Sequence, residues 1–265
     1  MRAFHKDKDR YFQMQYLTAR DHIIPFLEDT IELTSKTRVL EVGCAEAGVL
    51  LAFLEKGCRC VGIELSESRT EKAKKYHQHA LESGQISFLN KNIFDINIDL
   101  DLGEKFDLII LKDVIEHIPG QEIVIRQLGS FLNPKGLIFF GFPPWYMPFG
   151  GHQQICKSKV LSYLPYFHLM PKPLYKGILS AFSERKETIT ELIEIKETGI
   201  SIERFERIAK NQHFLIRKKR HFLFNPIYEY KFNLKSRTQF KLVEAIPYIR
   251  NFFTTGVYYV LVLES

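Results

Sequence analysis

The 265-residue sequence predicts an α/β fold: a doubly wound, mostly parallel sheet with helices on both faces. Two observations and one rule of chain geometry carry this. From residue 37 to residue 142, short apolar runs alternate with stretches of helical length. The runs, among them VLEV, CVGI, LIIL and LIFF, are apolar almost without interruption, as in strands buried on both faces. Right-handed crossovers between such strands then place helices on both sides of the sheet.

The elements follow in order. Residues 10–33 have helical character, with Pro25 early in a second helix or at a kink. TRVLEV (37–42) opens the sheet, and GVLLAFLEKG (48–57) is a helix closed by Gly57. CRCVGIEL (58–65) is the second strand. SESRTEKAKKYHQHALESG (66–84) is a charged helix, capped by Ser66 and stopped by Gly84. ISFLNKN (86–92) and KFDLIIL (105–111) are the third and fourth strands. GQEIVIRQLGSFLNPKG (120–136) is a helix followed by a turn carrying Pro and Gly, and LIFFGF (137–142) is the fifth strand. PPWYMPFGGHQQ (143–154) is a loop, and residues 155–198 are mainly helical. SIERFERIAKNQ (201–212) is an amphipathic helix with Ile202, Phe205, Ile208 and Ala209 on one side. HFLIRKK (213–219) and GVYYVLVLE (256–264) complete seven strands. With no repeat and no linker, this is one domain. Residues 1–35 form an N-terminal helical lid, 36–145 a ligand-binding core, 146–199 a helical insertion on the substrate side, and 200–265 the last helix and strands.

Composition narrows the function. With 45% hydrophobic and 26% charged residues, the chain is an ordinary globular one. A net charge of +6 suits an anionic substrate or weak attraction to an acidic surface, and is equally ordinary for a cytosolic protein. The basic run IRKKRHF (216–222) has no nucleic-acid motif beside it and reads as a solvated strand, so no nucleic-acid partner is expected. Of the four cysteines, Cys58 and Cys60 share a strand face but lack the wider loop and second pair of a zinc site. All four read as buried structural thiols in a reduced compartment, and no metal is expected. The N-terminus lacks a signal peptide's apolar core, and no apolar stretch reaches the roughly 18 residues of a membrane span. The expected location is cytoplasmic. The insertion segment YLPYFHLMPKPLYKGILSAF (163–182) leaves room for an acceptor cap or peripheral membrane contact, against the plainer reading of an interface or core lid.

The first strand runs into a loop of small residues, VLEVGCAEAGVL (39–50), at the strand end where doubly wound sheets bind ligands. GCAEAG is a loose version of the G-x-G-x-x-G loop that binds dinucleotides. Glu41, two residues before Gly43, argues against a pyrophosphate and for a ligand with a cationic group. Glu64 ends the next strand about 20 residues on, where an acid accepts from ribose hydroxyls. The ligand expected is a nucleoside with a cationic tail and no phosphates.

Here the chain resembles the class I S-adenosylmethionine-dependent methyltransferases. VLEVGCAEAG is similar to their first motif, VGIELS to the acidic strand end, and FLNKNIFD to the adenine edge. FDLIILKDVIEHI is similar to the fourth strand and its loop, LNPKGLIFFGFPP to the turn and fifth strand. The likeness spans roughly residues 36–145 and is nearest to the small-molecule branch that includes quinone-pathway and sugar-modifying enzymes. It implies a Rossmann-like sheet of seven strands, the last antiparallel, and S-adenosylmethionine as cofactor. It also implies roles for single residues. Gly43 and the backbone of Cys44 and Ala45 pack on the methionine and ribose portions. Glu41 faces the site, Glu64 binds the ribose, and Leu65 packs on adenine. Asn92, where the family usually has Asp, accepts from the adenine amino group, or merely satisfies a turn. Ile93 offers its amide to the ring. Lys112 offers its backbone carbonyl to the methionine ammonium.

Methyl transfer asks for an aligned nucleophile and, for a hydroxyl, a base. His117 with Asp113 beside it, and His152 after two glycines, are the candidates; packing roles stand against both. Trp145, Tyr146 and Phe149 would wall an acceptor, and Tyr11, Phe12 and Gln15 would form a lid over the cofactor, with ordinary helix packing standing against it for any one of them. The expected activity is methylation of a small-molecule acceptor, at a hydroxyl oxygen. A cofactor-binding regulatory subunit without transfer is the alternative, supported by Ala45, Ala47 and Asn92. An NAD-dependent oxidoreductase is disfavoured by Glu41. Acceptor identity and oligomeric state are open in the sequence.

Overall fold

A computed structural model describes residues 8–264; the first seven residues of the expected lid lie outside them. The strands are β1 (Arg38–Val42), β2 (Arg59–Ile63), β3 (Ile86–Leu89), β4 (Phe106–Lys112), β5 (Leu132–Phe142), β6 (Phe214–Phe224), β7 (Arg237–Thr238) and β8 (Gly256–Leu263). They form one sheet in the order β3-β2-β1-β4-β5-β8-β6-β7. β1 to β5 are mutually parallel, and β8 lies antiparallel between β5 and β6. The doubly wound expectation and the antiparallel last strand therefore hold, while the count of seven becomes eight. The added strand is β7, two residues paired antiparallel to the far edge of β6. Two residues carry no periodicity, so nothing in the sequence marks it.

Alternate strand residues feed two cores. Leu40, Val42, Ile109, Leu111, Ile138 and Phe140 pack on one face; Val39, Leu108, Ile110 and Phe139 pack on the other. The second face is covered by α1 (Lys8–Thr18), which continues through a wide π turn (Ala19–Ile23) into α2 (Ile24–Leu27), and by α3 (Gly48–Glu55). Pro25 closely follows the wide turn, at a point where the continuous helix gives up one backbone hydrogen bond to the missing N–H. The stretch 66–84 is not one helix. It divides at His77 into α4 (Glu67–Tyr76) and α5 (Gln78–Glu82), because the His77 ring is drawn inward to the carbonyl of Ala47, 3.1 Å away. Gly84 ends it as expected, with φ +72°. Ser66 occupies the cap position but its hydroxyl caps nothing.

The first face is covered by α6 (Gln121–Ser130) and, beyond the insertion, by α10. The insertion comprises α7 (Lys159–Tyr163), α8 (Lys172–Ala181) and α9 (Lys186–Thr198), with a small core of Leu161, Phe167, Tyr175, Leu179 and Leu192. α10 (Ile202–Asn211) buries Ile202, Phe205, Ile208 and Ala209, as its spacing predicts, and is capped by Ser201, whose hydroxyl accepts from Arg204 N–H at 3.1 Å. Residues 227–253 add α11 (Ile227–Phe232), α12 (Lys241–Glu244) and α13 (Ile249–Phe253) around β7. No helix among the described residues is long and apolar enough to cross a membrane. All four cysteines are buried free thiols, and burial pushes each thiol's pKa up.

Candidate functional site

β1 has β2 on one side and β4 on the other, so the chain winds away in opposite directions and the carboxyl ends of β1 and β4 leave a crevice. Gly43 begins the loop after β1 with φ +69°, and a Cβ there would lie 2.6 Å from Val114 Cγ2 in the loop after β4. Only glycine lets the two loops meet. The amides of Gly43 and Cys44 donate to Ile63 O at 2.8 and 3.1 Å. Ala45 and Ala47 also hold positive φ, +52° and +61°, a conformation costing an L residue roughly 1–2 kcal/mol. Glu64 secures the loop. One carboxylate oxygen accepts from Ala45 N–H (2.9 Å), the other from Ser66 N–H (2.8 Å).

Glu41, Lys112 and Asp113 form the floor of this cavity, and α1 is its roof through Tyr11, Phe12 and Gln15. Glu41 is buried, and its Oε2 has no hydrogen-bond partner among the described residues. Burial pushes its carboxyl well up, against the pull of the Lys112 ammonium. The Lys112 side chain is 1% exposed and its ammonium pairs with Asp113. Asp113 has φ +57° and is pinned by its N–H to Gly141 O at 2.7 Å. The roof sits close, since a Cβ on Gly48 would lie 2.5 Å from Phe12 O. The free space is about 60 Å³, well short of the roughly 300–1,000 Å³ of ordinary ligand pockets.

Leu65 is 70% exposed beyond the end of β2 and does not line this cavity. The Asn92 side-chain oxygen accepts from Phe94 N–H at 3.1 Å, capping a short turn, and keeps a second lone pair. Ile93 is buried in that turn.

The loops after β4 and β5 bring a second group together. The rings of His117 and His152 stand 4.8 Å apart, edge to face. Glu116 lies between chain and core, 4% exposed, with neither carboxylate oxygen hydrogen-bonded among the described residues. One oxygen is 3.8 Å from His117 Nε2. The donor atoms of Glu116, His117 and His152 all lie within 4.8 Å of one another. Two imidazoles and a carboxylate form a set that can move a proton or hold a divalent cation. Burial, with Asp113 nearby, pushes the Glu116 carboxyl well up, and burial lowers His117. His152 holds φ +54° after Gly151. A Cβ on Gly151 would lie 2.1 Å from the His168 side chain, so this glycine serves close packing.

An apolar cavity of about 340 Å³ lies between the post-β5 loop, β6 and α11, lined by Met147, Phe149, Phe224, Tyr228 and Phe232 among others. Of the three expected wall residues it uses Phe149. Trp145 turns into the insertion, its ring 4.6 Å from that of His168, and Tyr146 lies against Phe252. Thus the structure gathers Glu41, Gly43, Cys44, Ala45, Lys112, Asp113 and Tyr11 at one cavity and His117 and His152 beside each other. It leaves Trp145 apart. Sequence reading missed Glu46 and Arg69, which line the first cavity, and the part of Glu116. Glu116 was visible only as the acid of the Glu-His pair.

The sequence pattern of the methyltransferase domain family matches residues 12–148, just over half of the chain. The chain belongs to this family. Among similar proteins, the ubiquinone biosynthesis O-methyltransferase of Coxiella burnetii is 31% identical over 117 residues, 44% of this chain and 47% of that protein. That of Leptothrix cholodnii is 25% identical over 114 residues, 43% and 47%. The chain thus spans about half the length of the curated relatives it matches. Its fold is shared with magnesium protoporphyrin IX methyltransferase from Synechocystis PCC 6803 (TM-score 0.53, 14% identity, 95% of this chain and 80% of that one). It is shared also with an S-adenosylmethionine-dependent methyltransferase from Clostridium acetobutylicum (TM-score 0.55, 12% identity, 99% and 95%). This is the class I methyltransferase fold.

Proposed function

We propose that this methyltransferase transfers the methyl group of S-adenosylmethionine to a hydroxyl oxygen of a small acceptor. The observation that carries the reading is the cavity at the β1–β4 crevice, where Glu41 and Asp113 face the backbone of Gly43 to Ala45. Carboxylates suit a sulfonium and an ammonium, and the Glu64 oxygens, each already accepting one amide, retain lone pairs for ribose hydroxyls. Entry of the cofactor requires α1 to lift, since the present space is smaller than a nucleoside.

The acceptor oxygen attacks the methyl carbon in line with the departing sulfur. The C–O bond forms as the S–C bond breaks, its electron pair stays on sulfur, and the acceptor's proton leaves to a base. His117 and His152 are the bases at hand, and lowered basicity keeps His117 neutral and able to accept at pH 7. The apolar cavity beside Phe149 takes the body of the acceptor. One observation favours a second reading of proton loss: the orphaned Glu116 carboxylate amid two imidazoles is a ligand set in want of a cation. A divalent ion held there by Glu116, His117 and His152 would acidify a bound hydroxyl.

Isothermal titration with S-adenosylhomocysteine and NAD tests the cofactor. Micromolar binding of the first and none of the second is expected. The reverse would end the reading. Product mass spectrometry on a panel of hydroxyl, amine and carbon acceptors tests the oxygen.

A further inference from the structure

We infer that the Lys112 side chain recognises the α-carboxylate of the cofactor's amino-acid tail, so that this site selects an α-amino-acid zwitterion and not merely an adenosyl thioether. This rests on the cofactor reading above. Lysines at strand ends ordinarily reach into water, but this one is 1% exposed and lies in the cavity floor beside Glu41. The fold makes room for it. Lys112 pairs across the sheet with Gly141 of β5, and a Cβ at Gly141 would lie 3.1 Å from Lys112 Cδ. The ammonium is aimed by Asp113, whose left-handed backbone is fixed by the same Gly141.

A cation there is paradoxical for a ligand with a sulfonium and an ammonium, because like charges at close range repel. The paradox disappears if the ligand's one anionic group lies against it. Glu41, Glu46 and Asp113 supply three carboxylates to the cavity lining, and Lys112 and Arg69 two cations. The cofactor tail carries two positive groups and one negative. The signs are complementary, provided the carboxylate meets Lys112 while the ammonium and sulfonium meet Glu41 and Asp113. The orphaned Glu41 Oε2, buried in this floor, is the acceptor such an ammonium would satisfy. A lysine that only neutralised Glu41 would need no contact with ligand, and the two cases differ in a measurable way.

The test is a cycle in which the protein loses the ammonium (Lys112→Met) and the ligand loses the carboxylate. Isothermal titration of the full chain uses S-adenosylhomocysteine, its decarboxylated analogue and 5′-methylthioadenosine, which lacks the whole tail. Wild type is expected to prefer S-adenosylhomocysteine to the decarboxylated analogue by about 10–100-fold, the range of one charge-assisted contact. In Lys112→Met that preference should fall to within about threefold, while 5′-methylthioadenosine binds as before and so reports an intact fold. Preference unchanged in the variant, or equal loss for all three ligands, overturns the assignment while leaving the cofactor reading in place. Failure of wild type to bind any of the three overturns both. If Lys112→Met does not fold, Lys112→Gln and the wild-type preference alone decide, since no wild-type discrimination against the decarboxylated analogue already refutes the contact.

Discussion

Replacing Gly43 by alanine tests the crevice itself. The backbone there stands at φ +69°, which costs a residue with a Cβ roughly 1–2 kcal/mol. The new methyl would lie 2.6 Å from Val114 Cγ2, and relieving such an overlap in a packed loop costs a further ~1–3 kcal/mol. Together these predict a loss of about 2–5 kcal/mol, or a fall in melting temperature of roughly 5–15 °C for a chain of this size. Urea or thermal unfolding measures it, and titration with S-adenosylhomocysteine follows the site. Adding Val114→Ala removes the overlap but not the backbone strain, so the double variant should be more stable than the summed losses by about 1–3 kcal/mol. A Gly43→Ala protein melting within about 2 °C of wild type would refute the argument from strain. Strict additivity with Val114→Ala would refute the argument from contact.

Other consequences are checked more briefly. The transfer rate should rise with pH through a value below the ordinary histidine pKa of ~6.5 and then level, because burial lowers His117 and only its neutral form accepts a proton; His117→Gln should remove that limb from the rate profile. Glu64→Gln should weaken S-adenosylhomocysteine and adenosine alike by about tenfold or more, since its carboxylate braces Ala45 and, in the proposed complex, would accept from the ribose hydroxyls; unchanged adenosine affinity would remove Glu64 from the site. Titration of the ligand-free protein with Zn²⁺ should reveal one site that Glu116→Gln abolishes; identical binding by both proteins would dismiss the cation reading.

What the sequence disclosed depended on how local the signal was. β1 to β5 are apolar runs whose burial on both faces needs no partner to be recognised, and Gly57 and Gly84 announce their own helix ends. The Gly43 loop and Glu64 likewise lie at fixed distances from strand ends. Lys112 was read for its backbone alone, because its burial is decided by Gly141 on a neighbouring strand. Glu116 and His152 meet through two loops 36 residues apart in sequence, for which no spacing rule exists. The small helices and β7 between residues 227 and 253 are too short for periodicity, and His77 breaks a well-patterned helix for the sake of one distant carbonyl.

The place of β8 bears on how the chain is made. It fills the middle of the sheet, between β5 and β6, yet it is synthesised after both. About 110 residues separate the end of β5 from the start of β8. At ribosomal rates of roughly 5–20 residues per second, the nascent β5 waits some 6–20 seconds for its neighbour. For that interval an edge carrying Ile138, Phe139 and Phe140 has no mate, an open template for pairing with other chains. The chain is therefore most vulnerable to aggregation in the interval before β8 emerges, and chaperone demand should peak there.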